Sequence, residues 1–381
     1  MYTKRINLLI LFVISCQCHS SLISENIVRI DEANLQLLLL DDATHSVFAA
    51  SINAIYKFDQ DLNLLGEVTT GPVLDAFDCD PQNTNNCNNL QLLPNEPKVM
   101  LQNDAIPHTL IFCGSVRQGL CAYVDKHQFD ELHYFPADNK YNFMGGLLSA
   151  TALFSPEATV IDGEDVIPLF VAMEYDNRSL EFWPEMFTSR RVHYNANSGV
   201  MWMTLTHDNS EGRTALDLPL DRLLGNPVRQ VTGFHYENYV YFVTVQPSRV
   251  TSSDLPKYFI TRLVRFCRDD PTFTSMASLD MKTIFKIAVA AHLQKVTKAL
   301  STNYDYIDGR HGLNEGQTVL FIVFESDVDV FGAQSGSCPR RNLYKMISSS
   351  YAMYVFRSFK FLANGEDQAK VYRCAAGLLL K

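Results

Sequence analysis

Val47-Phe48-Ala49-Ala50-Ser51, followed after three residues by Ile55-Tyr56-Lys57-Phe58, reads as a hairpin of two short strands. Four further apolar runs share its character: Leu110-Ile111-Phe112-Cys113, Leu169-Phe170-Val171-Ala172, Val240-Tyr241-Phe242-Val243 and Leu320-Phe321-Ile322-Val323. All are short, rich in β-branched and aromatic residues, and bounded by Gly, Asn, Asp or Pro, the pattern of buried strands. Their first residues lie 63, 59, 71 and 80 positions apart. That interval holds one four-stranded sheet with long loops, as in the blade of a β-propeller. A large β-sandwich, or an α/β enzyme with no true repeat, fits the same spacing. One segment departs from the pattern. Phe285, Val289, Leu293, Val296 and Leu300 fall at steps of 4, 4, 3 and 4, which predicts a connecting helix near 284–300.

The 381 residues are 47% hydrophobic and 19% charged, a globular composition with length enough for one large all-β domain or two medium ones. A net charge of −10 argues against a nucleic-acid surface, which needs clustered Lys and Arg. Lys4 and Arg5 precede an apolar stretch at 6–14 that is too short to span a bilayer, and Cys18-His19-Ser20-Ser21 follow. Residues 1–20 therefore read as a signal peptide with cleavage near Ser20, leaving 21–381 as the mature chain, a single domain. Seven cysteines then remain, and in an oxidising compartment most should pair. Cys79 with Cys87, and Cys113 with Cys121, look like two local staples across short loops. Cys267, Cys338 and Cys374 are an odd set, so at least one of them needs another arrangement. Asn177-Arg178-Ser179 is a glycosylation sequon, expected on an exposed loop at Asn177.

The sequence carries no recognisable catalytic or metal-binding signature. Ser335 is out of register for a nucleophile elbow, and no phosphate loop ending in Gly-Lys-Ser or Gly-Lys-Thr occurs. His127 and His133 are too far apart for the paired histidines of a zinc-protease helix. Asp327-Val328-Asp329-Val330-Phe331-Gly332 begins like a calcium loop but has Phe in place of a ligand and Cys338 where the closing Glu belongs. No cofactor, no metal and no catalytic residue is therefore expected, and a non-catalytic binding module is favoured.

Several segments, in order, resemble the N-terminal sema domain of the plexins, the semaphorin receptors. They are Gly71-Pro72-Val73-Leu74-Asp75 with Cys79 and Cys87, and Asn95-Glu96-Pro97-Lys98-Val99-Met100-Leu101. Cys113-Gly114-Ser115-Val116-Arg117-Gln118-Gly119-Leu120-Cys121 is the most specific. Glu181-Phe182-Trp183-Pro184 with Thr188-Ser189-Arg190-Arg191, then residues 240–246 and 259–273, extend the resemblance over nearly the whole mature chain. The chain departs from it at Asp280-Met281-Lys282 and Tyr351-Ala352-Met353-Tyr354, where plexins carry a cysteine pair.

The resemblance implies an all-β, sema-type β-propeller with about five of seven blades present, the remainder lying past Lys381. Cys267 and Cys374 would find their partners there too, while Cys338 has no family counterpart. It further implies an extracellular or plasma-membrane receptor ectodomain that binds a semaphorin in cell–cell signalling and axon guidance, with a homodimer or co-receptor as further partners. Asp176, Arg178, Arg190 and Arg191, beside the Trp183 segment, would form the ligand-facing edge. Other readings are a different sema-bearing receptor of the hepatocyte-growth-factor-receptor kind, a soluble semaphorin-binding fragment, and, more remotely, a secreted propeller hydrolase.

Overall fold

The structure, a computed structural model, describes residues 35–82, 87–102, 106, 108–210, 212–216, 227–247, 259–270, 272–281, 287–295, 315–325 and 351–356. Residues 1–20, expected to be a signal peptide, residues 327–332, Cys338 and Cys374 lie outside them. Among the described residues, five antiparallel sheets of three or more strands follow one another along the chain, with three two-stranded ribbons in the loops and a short extra strand, Ala215–Leu216, on the third sheet. The first holds β1 (Leu37–Asp41), β2 (Ser46–Ser51), β3 (Ala54–Phe58) and β4 (Leu64–Thr69). The second holds β5 (Pro97–Gln102), β6 (Thr109–Gly114), β7 (Cys121–Asp125) and β8 (His133–Tyr134). In the third are β9 (Ala150–Phe154), β10 (Leu169–Met173), β11 (Phe187–Asn195) and β12 (Val200–Leu205). The fourth comprises β13 (Arg229–Tyr236), β14 (Tyr239–Pro247), β15 (Phe259–Cys267) and β16 (Ala277–Asp280). β17 (Ile287–Lys295), β18 (Thr318–Glu325) and β19 (Tyr351–Phe356) make the fifth.

The five apolar runs of the sequence are the second strands of these sheets: β2, β6, β10, β14 and β18. Their continuous hydrophobicity has a simple cause. Successive side chains of a strand point to opposite faces, and each of these strands is covered on both. Leu110 and Phe112 pack back against Phe48 and Ile55 of the first sheet. Their neighbours Ile111 and Cys113 pack forward against Leu169 and Val171 of the third. The alternation repeats: Phe170 and Ala172 meet Val240 and Phe242, and Tyr241 and Val243 meet Leu320 and Ile322. Each large side chain buried this way contributes about 1.5–3 kcal/mol, so the interfaces between sheets are the main cores of the molecule.

The first strands of all five sheets converge on one axis. Leu37, Val99, Thr151, Val231 and Ala291, one from each, line a common cavity of about 260 Å³. Meandering sheets packed face to face around such an axis are a β-propeller.

Where the segment is described, the helix expected near 284–300 gives way to a strand. Residues Ile287–Lys295 are strand β17, paired antiparallel with β18 from Ile287↔Glu325 to Lys295↔Thr318. A step of four residues is even, so it returns to the same face of a strand as well as of a helix. The irregularity between Ala288 and Ala290 adds one residue to β17 and disguises its alternation further. Phe285, Val296 and Leu300 lie outside the described residues.

Candidate partner-binding surface

The loops between the first three sheets are tied together by buried polar groups. Cys79 and Cys87 are joined, with Cα atoms 5.1 Å apart. Cys113 and Cys121 sit directly opposite each other on β6 and β7 and are joined at a Cα separation of 4.2 Å. Between these last two cysteines, Arg117 N donates to Asp75 Oδ2 at 2.6 Å and Gln118 Nε2 donates to the carbonyls of Phe77 and Cys79. Asn95, 2% exposed, gives its Nδ2 to Thr70 O and takes Ser115 N on its Oδ1, both at 2.9 Å. A β-carbon on Gly114 would lie 1.8 Å from that Oδ1, so only glycine fits.

Asp176 and Arg178 complete this framework. Arg178 Nε lies 2.7 Å from Asp176 Oδ1 and Nη2 lies 2.5 Å from Oδ2, while the guanidinium also donates to the carbonyls of Gln118 and Gly145. Asp176 Oδ2 accepts Leu147 N at 2.8 Å. Burial pushes the Asp176 carboxyl up, but the Arg178 hydrogen bonds and charge and the Leu147 amide outweigh it and hold the group below the usual carboxylate range. Gly146, at φ 136°, lies so close that a β-carbon there would strike Arg178.

Arg190 is 0% exposed. Its guanidinium donates to Tyr141 O and Phe143 O at 2.5 and 2.9 Å and to Thr188 Oγ1 at 2.8 Å. Burial draws its pKa down to about 9, against smaller upward effects of Tyr141 and Glu185, and leaves it cationic at neutral pH. The expected ligand-facing edge is thus corrected. Asp176, Arg178 and Arg190 are buried because each is consumed by loop carbonyls or by one another, and a group so enclosed cannot face a protein ligand. Arg191 alone reaches the surface, where it pairs with Glu164.

The accessible chemistry lies beside them, on the outer rim of the third sheet. A groove of about 710 Å³ is lined by Asp138, Lys140, Glu181 and Trp202, among others. Trp202, on outermost strand β12, stacks its indole on His193 at 5.1 Å and 9°. His193 Nε2 lies 2.8 Å from Thr204 Oγ1, and burial followed by the charge of Arg191 keeps its pKa below the usual value. The groove's floor is fixed by Asn142, whose Oδ1 accepts Met203 N at 2.6 Å, and by Asn139, whose Nδ2 donates to Met203 O at 2.8 Å. These two amides also cover part of the open edge of β12. Lys140 is neutralised by Glu185 at 2.8 Å, and Glu185 is shared with Arg213. Asp138 and Glu181 are exposed and enter no ion pair among the described residues. Among the described residues no group of three or more His, Cys, Asp or Glu could hold a metal ion, and no helix is long and apolar enough to cross a membrane.

No family model matches the chain. Plexin-A4 of Mus musculus is 27% identical over 299 residues, 75% of this chain and 15% of that protein. Plexin A3 of Danio rerio is 26% identical over 322 residues, 78% of this chain and 16% of its own length. A solved structure of the plexin A4 full extracellular region superposes with a TM-score of 0.62 and 24% identity, over 84% of this chain and 33% of that one. The chain is similar to the plexins in sequence and in fold. It spans about 15% of the length of the curated plexins it matches.

Within this plexin-like propeller, Asn177 is exposed at φ 67° between the buried Asp176 and Arg178, so the sequon presents its asparagine outward. Cys267 is buried at the end of β15. Trp202, Asp138 and Lys140 were not singled out as a site from the sequence. A half-exposed tryptophan on a strand rich in buried methionines, Met201 and Met203, was the available signal, because alternation leaves Trp202 on the opposite face.

Proposed function

We propose that this chain is the semaphorin-binding part of an extracellular receptor, acting in cell–cell signalling of the axon-guidance type by protein–protein binding and without catalysis. The observation that carries the reading is the similarity to plexin A4 along most of the chain, in sequence and in propeller geometry. The two disulfides fit an oxidising secretory route, with the signal peptide at 1–20 directing entry.

Contact is made at the outer rim of the third sheet. Trp202 offers a large rigid apolar face, and the uncommitted carboxylates of Asp138 and Glu181 favour a partner loop carrying Lys or Arg. Charge at such a rim acts chiefly on association rate and partner choice. Surface plasmon resonance of the secreted chain against a panel of semaphorin ectodomains tests the reading. Binding to at least one is expected, with association slowed by Asp138→Lys with Glu181→Lys and affinity lowered tenfold or more by Trp202→Ala. Absence of binding across the panel overturns the function; binding that ignores all three substitutions overturns the site alone.

A further inference from the structure

We propose that His108 and His127 form a two-imidazole site for a divalent transition-metal ion, Zn²⁺ being the physiological candidate. The two residues are 19 apart in sequence, yet the second sheet sets them side by side. β6 and β7 end in the pair Thr109↔Asp125, so His108 precedes one strand just where His127 follows the other. Their ring nitrogens, Nδ1 of His108 and Nε2 of His127, are 2.5 Å apart, with ring centroids at 4.1 Å.

The backbone around the pair is held firmly. Lys126 N donates to His108 O at 2.6 Å. Asp125 Oδ1 accepts the amides of His127 and Gln128 at 2.7 and 3.1 Å, and Phe129 N closes the turn on Asp125 O at 2.8 Å. Phe129 is buried against Phe48, which anchors the turn to the core between the first two sheets.

Two imidazole nitrogens aimed at each other share a single proton when both rings are neutral. Replacing that proton with a metal satisfies both lone pairs at once. Tetrahedral Zn²⁺ with bonds of 2.0–2.1 Å needs its ligand atoms roughly 3.3 Å apart, so the exposed rings must part by under about 1 Å. Nitrogen ligands select Zn²⁺, Cu²⁺ or Ni²⁺ over Ca²⁺ and Mg²⁺. The nearby charges permit a cation. Lys126 is neutralised by Asp41 at 2.9 Å, the Asp125 carboxylate accepts the His127 amide, and Lys57 is turned to Lys126 O at 2.7 Å. Two coordination positions remain for water or for a side chain of a docking partner.

Isothermal titration of the full chain with ZnCl₂ at pH 7.4 should show one ion bound per chain, and CaCl₂ should give no binding heat. His108→Ala and His127→Ala should each weaken Zn²⁺ at least tenfold, whereas His133→Ala should leave it unchanged. Should either alanine variant melt early, the corresponding Gln variant with the native melting temperature replaces it. Unchanged affinity in the double variant overturns the proposal, and so does the absence of Zn²⁺ binding by the native chain at pH 7.4.

Discussion

Replacing Arg178 with Met should be among the most damaging single changes in this propeller. Both side chains of the Asp176–Arg178 pair are 2% exposed. Methionine keeps most of the aliphatic volume, so the loss is electrostatic rather than a cavity. It leaves the Asp176 carboxylate buried, with the Leu147 amide as its best remaining donor. Breaking a buried pair from one side costs about 3–5 kcal/mol. The carbonyls of Gln118 and Gly145 lose a donor as well. The double variant Asp176→Asn with Arg178→Met removes the stranded charge and keeps only the two orphaned carbonyls, at about 1 kcal/mol or more each. It should therefore cost about 2–3 kcal/mol, less than the sum of the singles, with a coupling of roughly 2 kcal/mol. Urea unfolding followed through tryptophan emission reads this, since one of the two tryptophans, Trp183, has its ring 5.9 Å from the Arg178 guanidinium. Arg191→Met is the control: its exposed pair with Glu164 should be worth under about 1 kcal/mol. A loss below about 1 kcal/mol for Arg178→Met, or a coupling near zero, would refute the reasoning.

His235 has its pKa drawn down to about 4, chiefly by burial, with its Nε2 2.7 Å from Phe154 O. A group that binds protons more weakly in the folded chain contributes fully above its unfolded pKa near 6.5 and loses that contribution as pH falls toward 4. His235→Gln should thus flatten the melting-temperature profile between pH 6.5 and 4, and an unchanged profile would count against the assignment. Opening the Cys113–Cys121 bridge, which spans 8 residues of sequence, by Cys113→Ala with Cys121→Ala should cost about 2.5 kcal/mol in urea unfolding. Asn177 should carry glycan in secreted protein; glycosidase treatment should lower the mass of the native chain and leave that of Asn177→Gln unchanged.

What could be read from the sequence was what burial on two faces writes into it. The second strand of each sheet announced itself through a central run of four apolar residues, whereas β17 did not, since its apolar steps fit a helix as well and the extra residue near Val289 breaks its alternation. The charged residues were harder. Arg190 and Arg191 are consecutive in a strand, so their side chains must point to opposite faces, and one rim could never have held both. That much was available from alternation alone. Which of the two turns inward was not, because it depends on the carbonyls of Tyr141 and Phe143, about fifty residues away. The pairing of His108 with His127 is hidden for the same reason: it follows from the register of β6 with β7, and no spacing rule reveals it.

The plexin-like segments and the residues of the accessible groove are placed differently in the fold. Asn95, Gly114 and Gln118 lie within those segments, and all are spent on hydrogen bonds or close contacts between loops. In Glu181-Phe182-Trp183-Pro184 the last three residues are buried and only Glu181 is left for solvent. The residues that resemble a plexin thus mainly build the frame. Asp138, Lys140 and Trp202 lie outside the quoted segments but reach the rim, because the 136–143 stretch laps over the edge of β12 and is pinned there by Asn139 and Asn142. Partner choice can change at the rim without touching the frame, since a surface charge costs little to alter and a buried one a great deal. Similarity in the frame therefore carries the fold, and in the function proposed above the rim is where partner choice is set.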